Sequence, residues 1–116
     1  MNNKIIIING PNINLLGERE QSQYGSITFD KLKKECLAKS KELGLSTEFV
    51  QSNVEGELVN IIQNAREKFD GMIINAAAFT HTSIAIRDAL EPYCDCSLSP
   101  NRLIFGPLII KIFLFT

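Results

Sequence analysis

Few features that announce a specialised class of protein are present in this sequence. Its 116 residues hold three cysteines (Cys36, Cys94 and Cys96) and one histidine, His81. An odd cysteine count without regular spacing does not read as a disulfide framework. Cys94 and Cys96 stand too close together for an ordinary zinc hook, and no second ligand pair exists, so no metal is expected. Long hydrophobic runs are also missing. The apolar run at residues 5–8 ends at Asn9-Gly10-Pro11, which does not suit a secretory leader. Residues 103–116 are apolar but are interrupted by Gly106, Pro107 and Lys111. That stretch is also shorter than the roughly 20 residues a membrane helix needs. Reduced thiols and the absence of either address make the cytoplasm the expected location. The formal net charge is −1 with no basic cluster, which argues against a nucleic-acid footprint. Small anionic substrates stay compatible, because a few local arginines bind them whatever the net charge.

Several ligand fingerprints are absent as well. There is no GxGxxG and no Walker sequence, so neither nucleotide signature applies. No acidic cluster follows the first apolar run, which weighs against a phospho-receiver. The Gly10-Pro11 loop lacks the hydroxyl-rich character of a flavin phosphate cradle. Internal repeats are not seen. What remains is 45% hydrophobic and 22% charged residues, an ordinary composition for one globular core at this length.

Three strand-loop-helix units are legible. Lys4 to Asn9 is a continuous β-branched run, as expected of a strand buried on both faces. Thr28 is placed to cap a helix whose apolar face is Leu32, Cys36, Leu37 and Leu43, and Gly44 ends it. Residues 46–50 alternate as a second strand. Leu58, Ile61, Ile62, Ala65 and Phe69 form a helical stripe, and Asp70-Gly71 turns into a third strand at 72–74. Thr82 or Ser83 can cap a third helix with Ile84, Ile86, Ala89 and Leu90 as its apolar surface, and Pro92 stops it. Strands separated by helices pair in parallel through right-handed crossovers. The expected fold is a flavodoxin-like doubly wound α/β sheet, which binds ligands beyond the carboxyl ends of its strands where strand order reverses.

That rule points to the segments after Asn9 and after residue 74. Residues 10–27 form a connection longer than the usual two to about six residues, which suggests a functional loop. Gly17 and Gly25 would suit a lid. Within it stand Asn12, Asn14, Arg19 and Tyr24. A tyrosine titrates near 10 and is a poor base at neutral pH. A neighbouring guanidinium favours the phenolate, and bringing it into the neutral range takes roughly 4 kcal/mol of differential stabilisation. Tyr24 therefore reads either as a general base activated by Arg19 or as an amphipathic loop tyrosine. Asn75 and His81 can offer hydrogen bonds to hydroxyl or carboxylate groups, near a helix start that favours anions. For His81 a structural or solvent-exposed role stands beside the functional one, and Asp88 reads first as a solvated surface acid.

Four ordered motifs carry a resemblance. They are Asn9-Gly10-Pro11-Asn12-Ile13-Asn14-Leu15-Leu16-Gly17 with Arg19 and Tyr24-Gly25; Gln51-Ser52-Asn53 with Glu55-Gly56; Asn75-Ala76-Ala77-Ala78-Phe79-Thr80-His81-Thr82-Ser83; and Arg87-Asp88-Ala89-Leu90. From about residue 4 to 90 the chain resembles the type II 3-dehydroquinate dehydratase family. The resemblance implies a flavodoxin-like fold and a homo-oligomer, usually a dodecamer of trimers, working without cofactor in the shikimate pathway. The implied reaction is anti elimination of water from 3-dehydroquinate through an enolate. On that template Tyr24 is the base, Arg19 keeps it ionised and Asn12 helps hold the water that stabilises the enolate. Asn75 and His81 bind substrate hydroxyls, and Asp88 contributes across a trimer interface.

The likeness stops after Tyr93. The family continues with an acid-x-His-x-Ser-Asn strand supplying the general acid, then arginines for the substrate carboxylate. Here Cys94-Asp95-Cys96-Ser97-Leu98-Ser99-Pro100 leads into an apolar tail with Arg102 as its one arginine and no further histidine. The expected organisation is a family domain at 1–92 and a divergent tail at 93–116. The tail reads either as a genuine ending that adds one strand or, the favoured reading, as the product of a frame change or premature stop. A non-catalytic binding module of the same fold is the alternative to a dehydratase.

Overall fold

The computed structural model describes residues 3–18 and 25–93, and the backbone of 110–114. Strand β1, Lys4–Asn9, lies between β2, Ser46–Gln51, and β3, Gly71–Asn75, and pairs in parallel with both. A fourth strand, β4, Ile110–Leu114, joins the outer side of β3, giving the order β2-β1-β3-β4. The chain first winds from β1 to β2, then crosses back over β1 to reach β3. Strand order therefore reverses between β1 and β3.

Helices α1 (Phe29–Glu42) and α2 (Glu55–Lys68) form the two crossovers. The Thr28 side chain caps α1 by accepting a hydrogen bond from the Lys31 N–H at 3.2 Å. At the other end Leu45 N–H bonds Ser40 C=O at 2.8 Å and Gly44 N–H bonds Lys41 C=O at 3.1 Å. This paired closure needs the left-handed φ of 76° that Gly44 adopts without a Cβ clash. After β3 come a short α3, Phe79–Thr82, and α4, Ile84–Leu90, followed by a 3-10 turn at Glu91–Tyr93.

The core sits on one face of the sheet. Register places Ile6 beside Met72 and Ile8 beside Ile74, and all four are buried. They meet Leu58, Ile62 and Ala65 of α2 and Ile86 and Leu90 of α4. Full burial of a side chain such as Leu58 or Ile62 stabilises by about 1.5–3 kcal/mol. The opposite face carries Ile5, Ile7 and Ile73, each half-buried, with α1 lying over β2. There the Phe29 and Phe49 rings meet at 5.6 Å, and Thr47 donates a hydrogen bond to the Ser40 hydroxyl at 2.7 Å.

The three strands read from the sequence pair in parallel as expected, and β4 adds an antiparallel edge beside β3. Other details differ from expectation. The segment after β3 is two helices, since Ser83 adopts an extended conformation (φ −93°, ψ 98°) and its hydroxyl caps α4 by accepting from Ile86 N–H at 2.9 Å. The cap is thus Ser83 rather than Thr82, which closes α3. Ile84 at the first position of α4 faces outward and is 80% exposed, and Leu43 lies past the end of α1 at 62% exposed. Leu32, Cys36 and Leu37 are half-buried, so α1 packs more loosely than α2. The other predicted apolar positions, Ile61, Phe69 and Ala89, pack against the core as partly buried groups.

Candidate active site

The three parallel strands end in register. Asn9 pairs with Gln51 on one side and Asn75 on the other, so three carboxamide residues stand in a row at the carboxyl edge. The loops that leave this row converge. Gly10 N–H donates to Asn75 C=O at 2.8 Å, extending the ladder one residue beyond the strand. A Cβ on Gly10 would lie 2.4 Å from the Ala76 carbonyl oxygen. Only glycine permits the β1 and β3 loops to come this close, and they meet at the reversal point where doubly wound sheets place ligands.

Both loops hold a non-glycine residue in the left-handed region: Asn12 at φ 69° and Ala77 at φ 52°. Such a backbone costs on the order of 1–2 kcal/mol for alanine and less for asparagine, whose side chain tolerates it. The Asn75 side chain helps hold Ala77, because its Oδ1 accepts the Ala77 N–H at 3.1 Å. That leaves the Asn75 Nδ2 without a hydrogen-bond partner among the described residues, a donor at the rim.

Asn12 is held from β2. Its N–H donates to Asn53 Oδ1 at 2.9 Å, and its exposed side chain makes no cap bond to the following 3-10 turn, Ile13–Leu15. Gln51 Nε2 lies 3.2 Å from Gly10 C=O, 3.2 Å from Asn14 Oδ1 and 3.1 Å from Asn53 Oδ1. Asn9, 3% exposed, donates through Nδ2 to Val50 C=O at 3.0 Å and stiffens the same edge. Gln51, Asn53 and Asn9 belong to the same sequence motifs, although the expected site residues do not include them. The signal available was an amide residue at the end of each strand.

Asn75 stands at the carboxyl edge and Asn12 in the loop that leaves it, the first bonded to Gly10 and the second to Asn53. His81 follows in α3 with an exposed side chain, its N–H bonded to Ala78 C=O at 3.1 Å. Asp88 is not gathered into this cluster. It is exposed on α4, where Ile84, Arg87, Asp88 and Glu91 line a shallow open groove. Arg19 and Tyr24 lie outside the described residues, as do Cys94, Cys96 and Arg102 of the tail. No group of three or more histidine, cysteine or acidic residues that could hold a metal occurs among the described residues. Within the same residues no helix is long and apolar enough to cross a membrane.

Fold and edge together define a doubly wound, flavodoxin-like α/β protein with an amide-lined polar site at its switch point. The model of the family "Dehydroquinase class II" matches residues 3–96, and the chain belongs to that family. A 3-dehydroquinate dehydratase of Prochlorococcus marinus (strain NATL1A) is 50% identical over 99 residues, covering 82% of this chain and 68% of that protein. One from Clostridium perfringens (strain 13 / Type A) is 54% identical over 89 residues, covering 76% of this chain and 61% of the relative. Among solved structures, the type II dehydroquinase of Butyrivibrio crossotus DSM 2876 superposes with a TM-score of 0.76 at 42% identity, covering 78% of this chain and 63% of that one. The chain therefore spans roughly two thirds of the length of the relatives it matches.

Proposed function

We propose that this chain carries the 3-dehydroquinate-binding half of a type II dehydratase site, acting in the cytoplasm within the shikimate pathway. One observation carries the reading. In a chain about half identical to proteins named 3-dehydroquinate dehydratase, the Asn12 and Asn75 loops meet at the switch point of the sheet. In this reading Asn75 and His81 bind substrate hydroxyls. Tyr24, kept ionised by Arg19, takes the proton beside the ketone, and a water held with the help of Asn12 stabilises the enolate oxygen. A positioned base and an oxyanion stabiliser are what abstraction beside a ketone requires. The enolate electrons then expel the hydroxyl, which leaves as water once protonated. No cofactor takes part.

The acid for that last step is the weak point of these 116 residues, which hold only the histidine already assigned to binding. Losing a general acid costs about 10²–10⁴-fold. Residues 1–92 would then be the family domain and 93–116 a divergent tail, with turnover very low. In an enone-absorbance assay the purified chain should show almost no turnover, while calorimetry with 3-dehydroquinate should show weak binding that His81→Ala and Asn75→Ala abolish. Full family-level turnover would refute the missing-acid reasoning. Absence of any dehydroquinate binding would leave the non-catalytic module as the better reading.

Assembly is part of the same proposal. An isoleucine 80% exposed beside Asp88 on α4 suits a face that a second copy covers, with Asp88 then reaching a neighbour's site. Sedimentation should find a trimer-based species that Ile84→Lys dissociates. A monomer at micromolar concentration would remove Asp88 from the site.

A further inference from the structure

We infer that Gln51 and Asn53 are positioning residues: together they latch the β1 loop to β2 and hold Asn12 in its left-handed conformation at the site. The inference rests on the functional reading above only for what Asn12 does once placed. The latch itself is visible in the structure.

Asn12 has no cap bond from its own side chain, and its φ of 69° lies in the left-handed region, which asparagine tolerates at small cost but which its own side chain does not fix here. The support comes from a different strand. Asn53 faces two donors, the Asn12 N–H at 2.9 Å and Gln51 Nε2 at 3.1 Å, so the atom between them must be its carbonyl oxygen. Gln51 in turn faces three acceptors: Asn53 Oδ1, Gly10 C=O at 3.2 Å and Asn14 Oδ1 at 3.2 Å. An amide nitrogen with two protons is the group that suits such a pocket. A carboxylate there would meet three oxygens and no donor. Gly10 and Asn14 bracket Asn12, so Gln51 grips the loop on both sides of it while Asn53 grips it in the middle. β1 and β2 pair up to Asn9 and Gln51, and this rigid end anchors the latch.

Two readouts on the full chain test this, and each isolates a different failure. Amide hydrogen exchange by NMR should show the Asn12 and Leu15 N–H groups exchanging on the order of tenfold faster in Gln51→Leu and Gln51→Glu, as expected when one or two hydrogen bonds are lost locally. Leu58 and Ile62 in α2 should be unchanged. Asn53→Leu should act like Gln51→Leu, whereas Asn53→Asp keeps the acceptor and should restore slow exchange at Asn12. Calorimetric titration with 3-dehydroquinate supplies the second readout. Gln51→Leu should weaken binding several-fold in the wild-type background and not at all in Asn12→Ala, because it acts through Asn12. Unchanged Asn12 exchange in Gln51→Leu, or additive binding losses with Asn12→Ala, would overturn the inference. If the parent chain binds no dehydroquinate, the functional reading fails, and the exchange arm still decides whether the latch exists.

Discussion

Replacing Gly10 with alanine tests the geometry on which the site depends. The added Cβ would sit 2.4 Å from the Ala76 carbonyl oxygen and 2.6 Å from its carbon, both backbone atoms of the strand-end loop. Ordinary contact begins near 3.4 Å, so the two loops must part by about 1 Å. That movement also stretches the Gly10 N–H to Asn75 C=O bond from 2.8 Å past the useful range. Forced overpacking costs roughly 1–3 kcal/mol and the lost bond about 1 kcal/mol more, for a total of about 2–4 kcal/mol. For a domain near 100 residues that lowers Tm by roughly 10–25 °C. Gly56→Ala is the matched control. It lies in α2 with nothing within 4 Å of the added methyl, and should stabilise by up to about 1 kcal/mol. Urea titration of both variants measures the difference. A Gly10→Ala midpoint equal to wild type, with m unchanged, would show that the close approach of the β1 and β3 loops is not real.

The remaining predictions concern the core, the strained alanine and alkaline pH. Ile62→Ala removes a fully buried side chain between α2 and the sheet and should cost about 2–5 kcal/mol in the same titration; a loss under about 1 kcal/mol would place the core elsewhere. At Ala77, φ 52°, valine should destabilise by more than about 1 kcal/mol, while glycine should stay within about 1 kcal/mol of wild type. Equal effects of the two would deny the left-handed backbone. Burial pushes the Tyr93 phenol above its ordinary value against the lowering effect of Arg66, and burial with the Glu35 charge raises the Cys36 thiol. Both favour the neutral form in the folded state, so their contribution is complete below the unfolded values and is lost as pH rises from about 9 for the thiol and 10 for the phenol. Tyr93→Phe, which also removes the hydrogen bond to Ile62 C=O, should flatten the upper part of that decline. A decline of equal steepness in the variant would assign it to other groups.

Much of the architecture was legible because it depends on neighbours in the chain. β1 lies where the β-branched run predicts, and β2 and β3 extend by only a residue or so past the predicted spans. Thr28, Gly44 and Ser83 act as the local caps that hydroxyl and glycine chemistry suggests. The stripe of α2 is buried at Leu58, Ile62 and Ala65 because a period of 3.6 places those residues on one side. Legibility failed for Ile84, since an apolar residue in a helix's first turn is counted as core by type although its direction is set by the cap before it. It failed also for β4, whose direction is not encoded in its own residues.

Composition and periodicity by themselves determined an open parallel α/β sheet, its elements and the edge where ligands bind. Only the tertiary structure decided which groups meet at that edge. The bonds from Asn9 to Val50, from Asn12 to Asn53 and from Gln51 to Gly10 each span 41 residues. Strand and helix patterns arise from interactions a few residues long, whereas these contacts exist only after β2 has crossed over and paired with β1.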